Sequence, residues 1–304
     1  MADFLHSGWS LFVAGVTLLS LLACLVLLFV ASRRRPMAAD KSTGHVWDEN
    51  LVELNNPLPL WWMVLFVITV LFSFAYLVFY PGAGSAQGTL DWSSAGELES
   101  DQQTAAAEMD KVYANYRGRP VAVLAADKGA MAIGERLFIN DCAACHGSNA
   151  RGSKGFPDLT DRDWLHGGSP EKIEETITLG RVGQMPPMAA AVGSEQDVRN
   201  LANYVLRLSD SPYNSIAAAL GRSKFAVCAA CHGNDGKGNP ALGAPNLTDK
   251  IWLHGYGEQA IVDIVNRGKT NVMPAQAGRL TPDQIHVLAS YVWSLSKPTP
   301  PGVR

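Results

Sequence analysis

Two long apolar runs open the chain. No residue from Trp9 to Ala31 carries a charge, and the stretch from Leu60 to Tyr80 is again uncharged. Each reaches the roughly 20 residues that carry a helix across about 30 Å of hydrocarbon. Trp9 marks one end of the first run, while Trp61, Trp62, Tyr76 and Tyr80 bracket the second, as aromatics at a membrane boundary do. The pattern predicts a two-helix hairpin over residues 1–80, with helices at about 9–31 and 60–80 and a polar loop at 32–59.

After Tyr80 the pattern breaks into Pro81-Gly-Ala-Gly-Ser-Ala-Gln-Gly and then acidic and small polar residues. This predicts a linker over 81–124, with a helix around Gln102 to Tyr116. From about Ala125 helical periodicity returns. Ile133, Leu137 and Phe138 share one face; Val198, Leu201, Val205 and Leu208 form a stripe; Ile285, Leu288, Val292 and Leu295 repeat it. Gly- and Pro-rich loops lie between these helices.

Charge orients the hairpin. The short loop carries Arg33, Arg34, Arg35 and Lys41, and no Lys or Arg follows the second run until Lys111. The positive-inside rule places the loop in the cytoplasm and both ends outside. A cleaved signal peptide fits poorly, because no basic residue precedes the first run and three arginines follow it. With hydrophobic residues at 47%, charged residues at 17% and a net charge of −3, the chain shows no nucleic-acid footprint.

The chain from Ala125 to Lys297 repeats itself. Leu159-Thr160-Asp161 answers Leu247-Thr248-Asp249, Trp164-Leu165-His166-Gly167 answers Trp252-Leu253-His254-Gly255, and Met185-Pro186 answers Met273-Pro274. At the head of each copy stands the same pentapeptide, Cys142-Ala-Ala-Cys145-His146 and Cys228-Ala-Ala-Cys231-His232. Cys-x-x-Cys-His is the attachment signature of a c-type haem. Two thiols at this spacing reach the vinyl edge of one porphyrin, and the following histidine lies under the iron. A single zinc held by four cysteines, or thioredoxin-like dithiols, are the competing readings. Neither explains the histidine and glycine (Gly147, Gly233) after both pairs, nor the Met-Pro downstream of each. Two haems c are therefore expected, on Cys142 and Cys145 and on Cys228 and Cys231. The remaining Cys24 lies in the first apolar run, where a buried, inert thiol is expected.

His146 and His232 supply one axial ligand each. A methionine sulfur on the opposite side favours ferrous iron and raises the potential. Met185 and Met273 occupy equivalent slots before proline, so the expected pairs run repeat by repeat, His146 with Met185 and His232 with Met273. Met188 competes with Met185, and the recurring His166 and His254 are alternative ligands. Trp164, Trp252 and Arg181 are candidates to contact propionates or line the pockets. No nucleophile–base pair, phosphate loop or paired acid stands out, so no catalytic oxygen site is expected in this chain.

One segment is more specific than the haem motifs, which are generic to class I cytochromes c. The loop reads His45-Val-Trp47-Asp48-Glu49-Asn-Leu-Val-Glu53-Leu-Asn55-Asn56-Pro57-Leu58-Pro59-Leu-Trp61-Trp62. With the two haem motifs, it resembles the di-haem subunit (subunit III) of cbb3-type cytochrome c oxidases over nearly the whole chain. The resemblance implies a mainly α fold, with a membrane hairpin followed by two tandem class I cytochrome c domains, 125–210 and 211–304. It implies a bacterial inner-membrane subunit with its haem domains in the periplasm. Electrons would pass from a soluble cytochrome c toward a mono-haem c subunit and a catalytic haem–copper subunit that reduces oxygen. It also implies one membrane helix, equivalent to Leu60–Tyr80, so the run at Trp9–Ala31 is additional. Asn55-Asn56-Pro57 is read as a docking element or as a helix cap. The competing functions are an independent membrane-anchored di-haem shuttle and, less well supported, a di-haem peroxidase, which needs an open iron site.

Overall fold

The computed structural model describes residues 7–33, 42–54 and 56–296. Arg34, Arg35, Lys41 and Asn55, which figure in the loop reading, lie outside the described residues, as does the chain from Lys297 onward. The fold divides into two compact units, one up to Glu108 and one from Met109.

In the first unit, helix α1 (Ser7–Ser32) leads to strands β1 (Ser42–Trp47) and β2 (Leu51–Leu54) and then helix α2 (Leu60–Phe79). Both helices are long and apolar enough to cross a membrane. Their side chains face outward: α1 buries none and α2 only Val70. Apolar surface of that extent calls for lipid or protein around it. Ser85 donates to Ser10 Oγ from both its backbone N and its Oγ, each at 2.8 Å. The start of α1 thus lies beside the turn that follows α2, so the helices run antiparallel.

Between the helices, β1 and β2 form an antiparallel hairpin pairing Trp47 with Leu51 and Val46 with Val52. Asp48 and Glu49 make its turn with φ of 46° and 70°. The polar composition of 32–59 predicts a loop here, and the hairpin replaces it over 42–54. The structure also rejects a side-chain cap from the Asn-Pro segment: α2 begins after Pro59 with no side-chain hydrogen bond at its N-cap.

The second unit begins within helix α3 (Ser94–Tyr113) and continues through α4 (Val121–Leu124), α5 (Lys128–Asp141) and the one-turn α6 (Ala143–His146). The expected linker is thus largely folded. Tyr113 and Leu124 are buried in a small core with Ala130 and Val287. Helix α7 (Pro170–Leu179), strand β3 (Arg181–Met185), α8 (Ala189–Val192) and α9 (Glu195–Leu208) complete the first repeat. The second repeat holds α10 (Ser215–Gly221), a 3₁₀ turn (Arg222–Phe225), α11 (Ala226–His232), α12 (Glu258–Arg267), β4 (Lys269–Met273) and α13 (Pro282–Leu295).

Local sequence fixes these boundaries. Asp127 caps α5 by accepting from the backbone N of Gly129 and Ala130. Ser194 with Asp197, and Thr281 with Gln284, close reciprocal capping boxes at the starts of α9 and α13. Helices α7 and α12 both stop at a glycine with positive φ, Gly180 at 71° and Gly268 at 70°, which turns the chain into the strand that follows.

The packing crosses the repeats. Helix α5 of the first repeat lies against α13 of the second, where Phe138 meets Tyr291 at 5.7 Å between ring centroids. Helix α9 of the first repeat packs with the second motif's cluster, and Tyr204 meets Phe225 at 5.4 Å. Glycine allows both crossings: a Cβ on Gly134 would collide with Tyr291, and one on Gly221 with the Asn200 carbonyl. The two repeats, so clear in sequence, are not packed as two self-contained bodies.

Candidate haem sites

Each cysteine motif is a short helix whose histidine is buried. Helix α6 follows directly from α5, and α11 follows the 3₁₀ turn at Arg222–Phe225. His146 and His232 are each 8% exposed. His146 Nδ1 lies 3.2 Å from the Pro157 carbonyl oxygen, and His232 Nδ1 lies 3.0 Å from that of Pro245. A carbonyl oxygen only accepts, so Nδ1 carries the proton and donates. The lone pair is left on Nε2, the form an axial iron ligand requires. Burial pulls the His146 imidazole below its ordinary pKa, opposed in part by the Pro157 contact. That too keeps it neutral and able to coordinate.

Cys142 and Cys228 lie in two different apolar clusters, while Cys145 and Cys231 are exposed. Cys142 packs beside Phe138, Ile173, Ile177 and Leu288, while Cys228 packs among Leu201, Val205, Phe225 and Val262. Four cysteines at one zinc are therefore ruled out by their placement. A redox dithiol needs a lowered thiol pKa. Here burial, then the nearby Asp141 charge, pushes Cys142 up to about 11, and burial raises Cys228 as well.

The methionines arrive from the opposite repeat. Met273 packs against the Cys142 cluster, and Met185 against the Cys228 cluster. Strands β3 and β4 bring this about. They form an antiparallel ribbon in which Arg181 faces Met273 and Met185 faces Lys269. Beyond the ribbon each chain stays with the other repeat: Gln276 N donates to the Ile177 carbonyl at 3.0 Å, and Met188 N to that of Val265 at 2.8 Å. The packing thus sets each methionine beside the cysteine cluster of the other repeat, where the repeat-by-repeat expectation placed His146 with Met185 and His232 with Met273. Met188 packs on the same cluster as Met185, and its equivalent in the second repeat is Gln276.

The recurring histidines are engaged elsewhere. His254 Nε2 lies 2.7 Å from the Asn271 side-chain amide. The His166 ring fills the space beside Gly243. Burial lowers the pKa of both.

The residues present fit a haem at each motif. Two buried donors, Arg181 Nη2 and Trp252 Nε1, have no hydrogen-bond partner among the described residues. Leaving such a group unmet costs about 1–3 kcal/mol. Both belong to the pocket-lining set expected from the sequence, and carboxylates of a porphyrin are partners of the right chemistry. The ribbon has little signature in the sequence. Its sequence signal, Val182 and Val272 alternating with inward residues, spans only five positions per strand.

Comparison with known proteins bears on the family of the chain. The profile of the family described as cytochrome C oxidase, cbb3-type, subunit III matches residues 129–205 and 217–292, one stretch for each repeat. A second profile, the N-terminal domain of cytochrome oxidase-cbb3, FixP, matches residues 39–87. The chain is 63% identical over 297 residues to the cbb3-type cytochrome c oxidase subunit CcoP of Rubrivivax gelatinosus, covering 98% of both chains. The chain belongs to the subunit III family of cbb3-type cytochrome c oxidases. Other members stand further off. The FixP subunit of Bradyrhizobium sp. (strain ORS 278) is 40% identical over 84% of this chain and 94% of its own. That of Azorhizobium caulinodans is also 40% identical, over 84% and 92%. Family membership makes this a membrane-anchored electron-transfer subunit of a cbb3-type oxidase, and its cytochrome c domains imply haem c.

Proposed function

We propose that the chain carries two covalent haems c, on Cys142 and Cys145 and on Cys228 and Cys231, with crossed axial pairs. His146 and Met273 hold the first iron, and His232 and Met185 the second. The observation that carries this reading is the packing of each methionine against the other repeat's cysteine cluster. When bound, haem supplies one-electron exchange between ferrous and ferric iron. The protein's part is positional. Pro157 and Pro245 carbonyls orient the two imidazoles, the apolar clusters keep water from the irons, and the β3–β4 ribbon holds both methionines on one scaffold. Four residues along a strand separate the two ligand positions, about 13 Å along the ribbon.

In this reading a soluble cytochrome c delivers electrons to one haem. The other passes them to a mono-haem c subunit and on to a catalytic haem–copper subunit. Helices α1 and α2 cross the bacterial inner membrane as a hairpin. The basic loop lies in the cytoplasm and the residues from Pro81 onward lie in the periplasm. The Ser10–Ser85 contact supports antiparallel helices with both outer ends on one side. The β1–β2 hairpin exposes Trp47 and Leu51 as a docking element for the catalytic subunit.

The test is purification by a C-terminal tag in mild detergent. Co-purified b-type haem, copper and cytochrome-dependent oxygen uptake, with two haems c per chain by mass, are expected. A chain that purifies alone with c-type haem only would instead be an independent shuttle.

A further inference from the structure

We propose that Arg181 binds a propionate carboxylate of the haem at Cys142 and Cys145, and so makes the two haem sites electrostatically unequal. This rests on the reading that haem c occupies that motif. Arg181 opens β3 directly opposite Met273. Residues paired in this way share a face of the ribbon, with Cβ atoms about 5 Å apart. Two contacts from α7 aim the guanidinium: Nε donates to Thr176 Oγ1 at 2.9 Å and Nη1 pairs with Glu175 Oε1 at 2.9 Å. The third nitrogen, Nη2, is buried and has no partner among the described residues. Two nitrogens are thus fixed and the remaining donor is held out beside the methionine that packs at the first motif. A guanidinium fork is built to meet a carboxylate.

Among the described residues the second site has no such group. The residue opposite Met185 is Lys269, which is exposed. The residue at the position of Glu175 is Asp263, whose carboxylate accepts from Gln259 at 2.9 Å and holds no arginine. The orphan donor that packs with the second cluster is the neutral indole of Trp252. Among the described residues, a fixed and partly buried cation therefore stands beside the first motif and not the second. Positive charge opposes the gain of charge on oxidation and so raises the midpoint potential, and Glu175 partly offsets it.

The test uses the full chain in its complex, with potentiometric titration of the c-type bands and haem counted by mass. Arg181→Gln is expected to lower one of the two midpoints and leave the other in place. Arg181→Lys should recover part of the change, and Glu175→Gln should raise the same midpoint. Full haem content with both midpoints unmoved in Arg181→Gln and Glu175→Gln overturns the proposal. So does an equal shift of both. If Arg181→Gln loses haem during maturation, Glu175→Gln decides, since it leaves the arginine in place. A wild-type chain lacking haem at Cys142 would instead overturn the underlying reading, and the mass measurement shows which has failed.

Discussion

Met273 packs into the apolar cluster that holds Cys142, so the sulfur and the thiol that share a pocket come from different repeats. Replacing that sulfur should report on the haem attached at the first motif and not on the nearer motif in sequence. Cys142→Ser leaves one thioether and one free vinyl, which shifts the first haem's absorption band and labels it. In that background Met273→His is expected to lower the labelled haem's potential by roughly 100 mV or more, within the ~0.8 V that axial ligands span. A drop confined to the unlabelled haem would restore repeat-by-repeat ligation.

Truncation separates the same alternatives by folding. A chain ending at Asp210 keeps the whole first repeat but loses Met273 and α13, which supplies Ile285, Leu288 and Val292 to the Cys142 core. Removing three buried side chains from one cluster costs roughly 6–15 kcal/mol at 2–5 kcal/mol each, comparable with the whole 5–15 kcal/mol of a domain's usual stability. The shortened chain is expected to give no six-coordinate haem at the first motif and to be degraded in the cell. Recovery of a stable, low-spin mono-haem domain would show that the first repeat is complete by itself.

The cysteine motifs, the methionines, the duplication and the apolar helices were all legible, because each is a local pattern. The crossing was not. Tyr204 and Tyr291 occupy equivalent places in the two repeats, and the stripes Val198–Leu208 and Ile285–Leu295 are alike in spacing and polarity. Either closing helix therefore offers a suitable face to either opening helix. What decides between them is the pairing of β3 with β4, a contact between strands far apart in sequence that leaves little periodic signal. The β1–β2 hairpin escaped for a different reason. Thr43 to Trp47 and Leu51 to Leu54 are β-prone runs flanking a polar turn, but they read as a linker beside two dominant apolar helices.

Gly134 sits where α5 crosses α13, and two effects of opposite sign meet there. Alanine in a helix interior is favoured over glycine by about 1 kcal/mol. A Cβ at this position, however, would press on Tyr291 and the Val287 carbonyl, which belong to a packed core. Overpacking of this kind costs about 1–3 kcal/mol. Gly134→Ala is therefore expected to lower the melting temperature of the haem-loaded protein, and Gly134→Val to lower it further. A rise in melting temperature with Gly134→Ala would mean that the helices separate without cost.

Asp197 should make stability depend on acid. The Ser194 hydroxyl, then Lys224 at 3.0 Å, then the Ser194 backbone N–H hold its carboxylate at a pKa of about 2, against 3.8 when free. The folded value is the lower one, so the contribution is fully present above 3.8 and is lost as pH falls toward 2. This carboxylate closes the capping box of α9 and ties it to the turn ahead of the second cysteine motif. Asp197→Asn is expected to lower the melting temperature at neutral pH. The gap from wild type should narrow through the acid range and close near pH 2, as followed by circular dichroism. A gap of constant size at every pH would show that the carboxylate acts through shape alone, with its charge contributing nothing to the second site's stability.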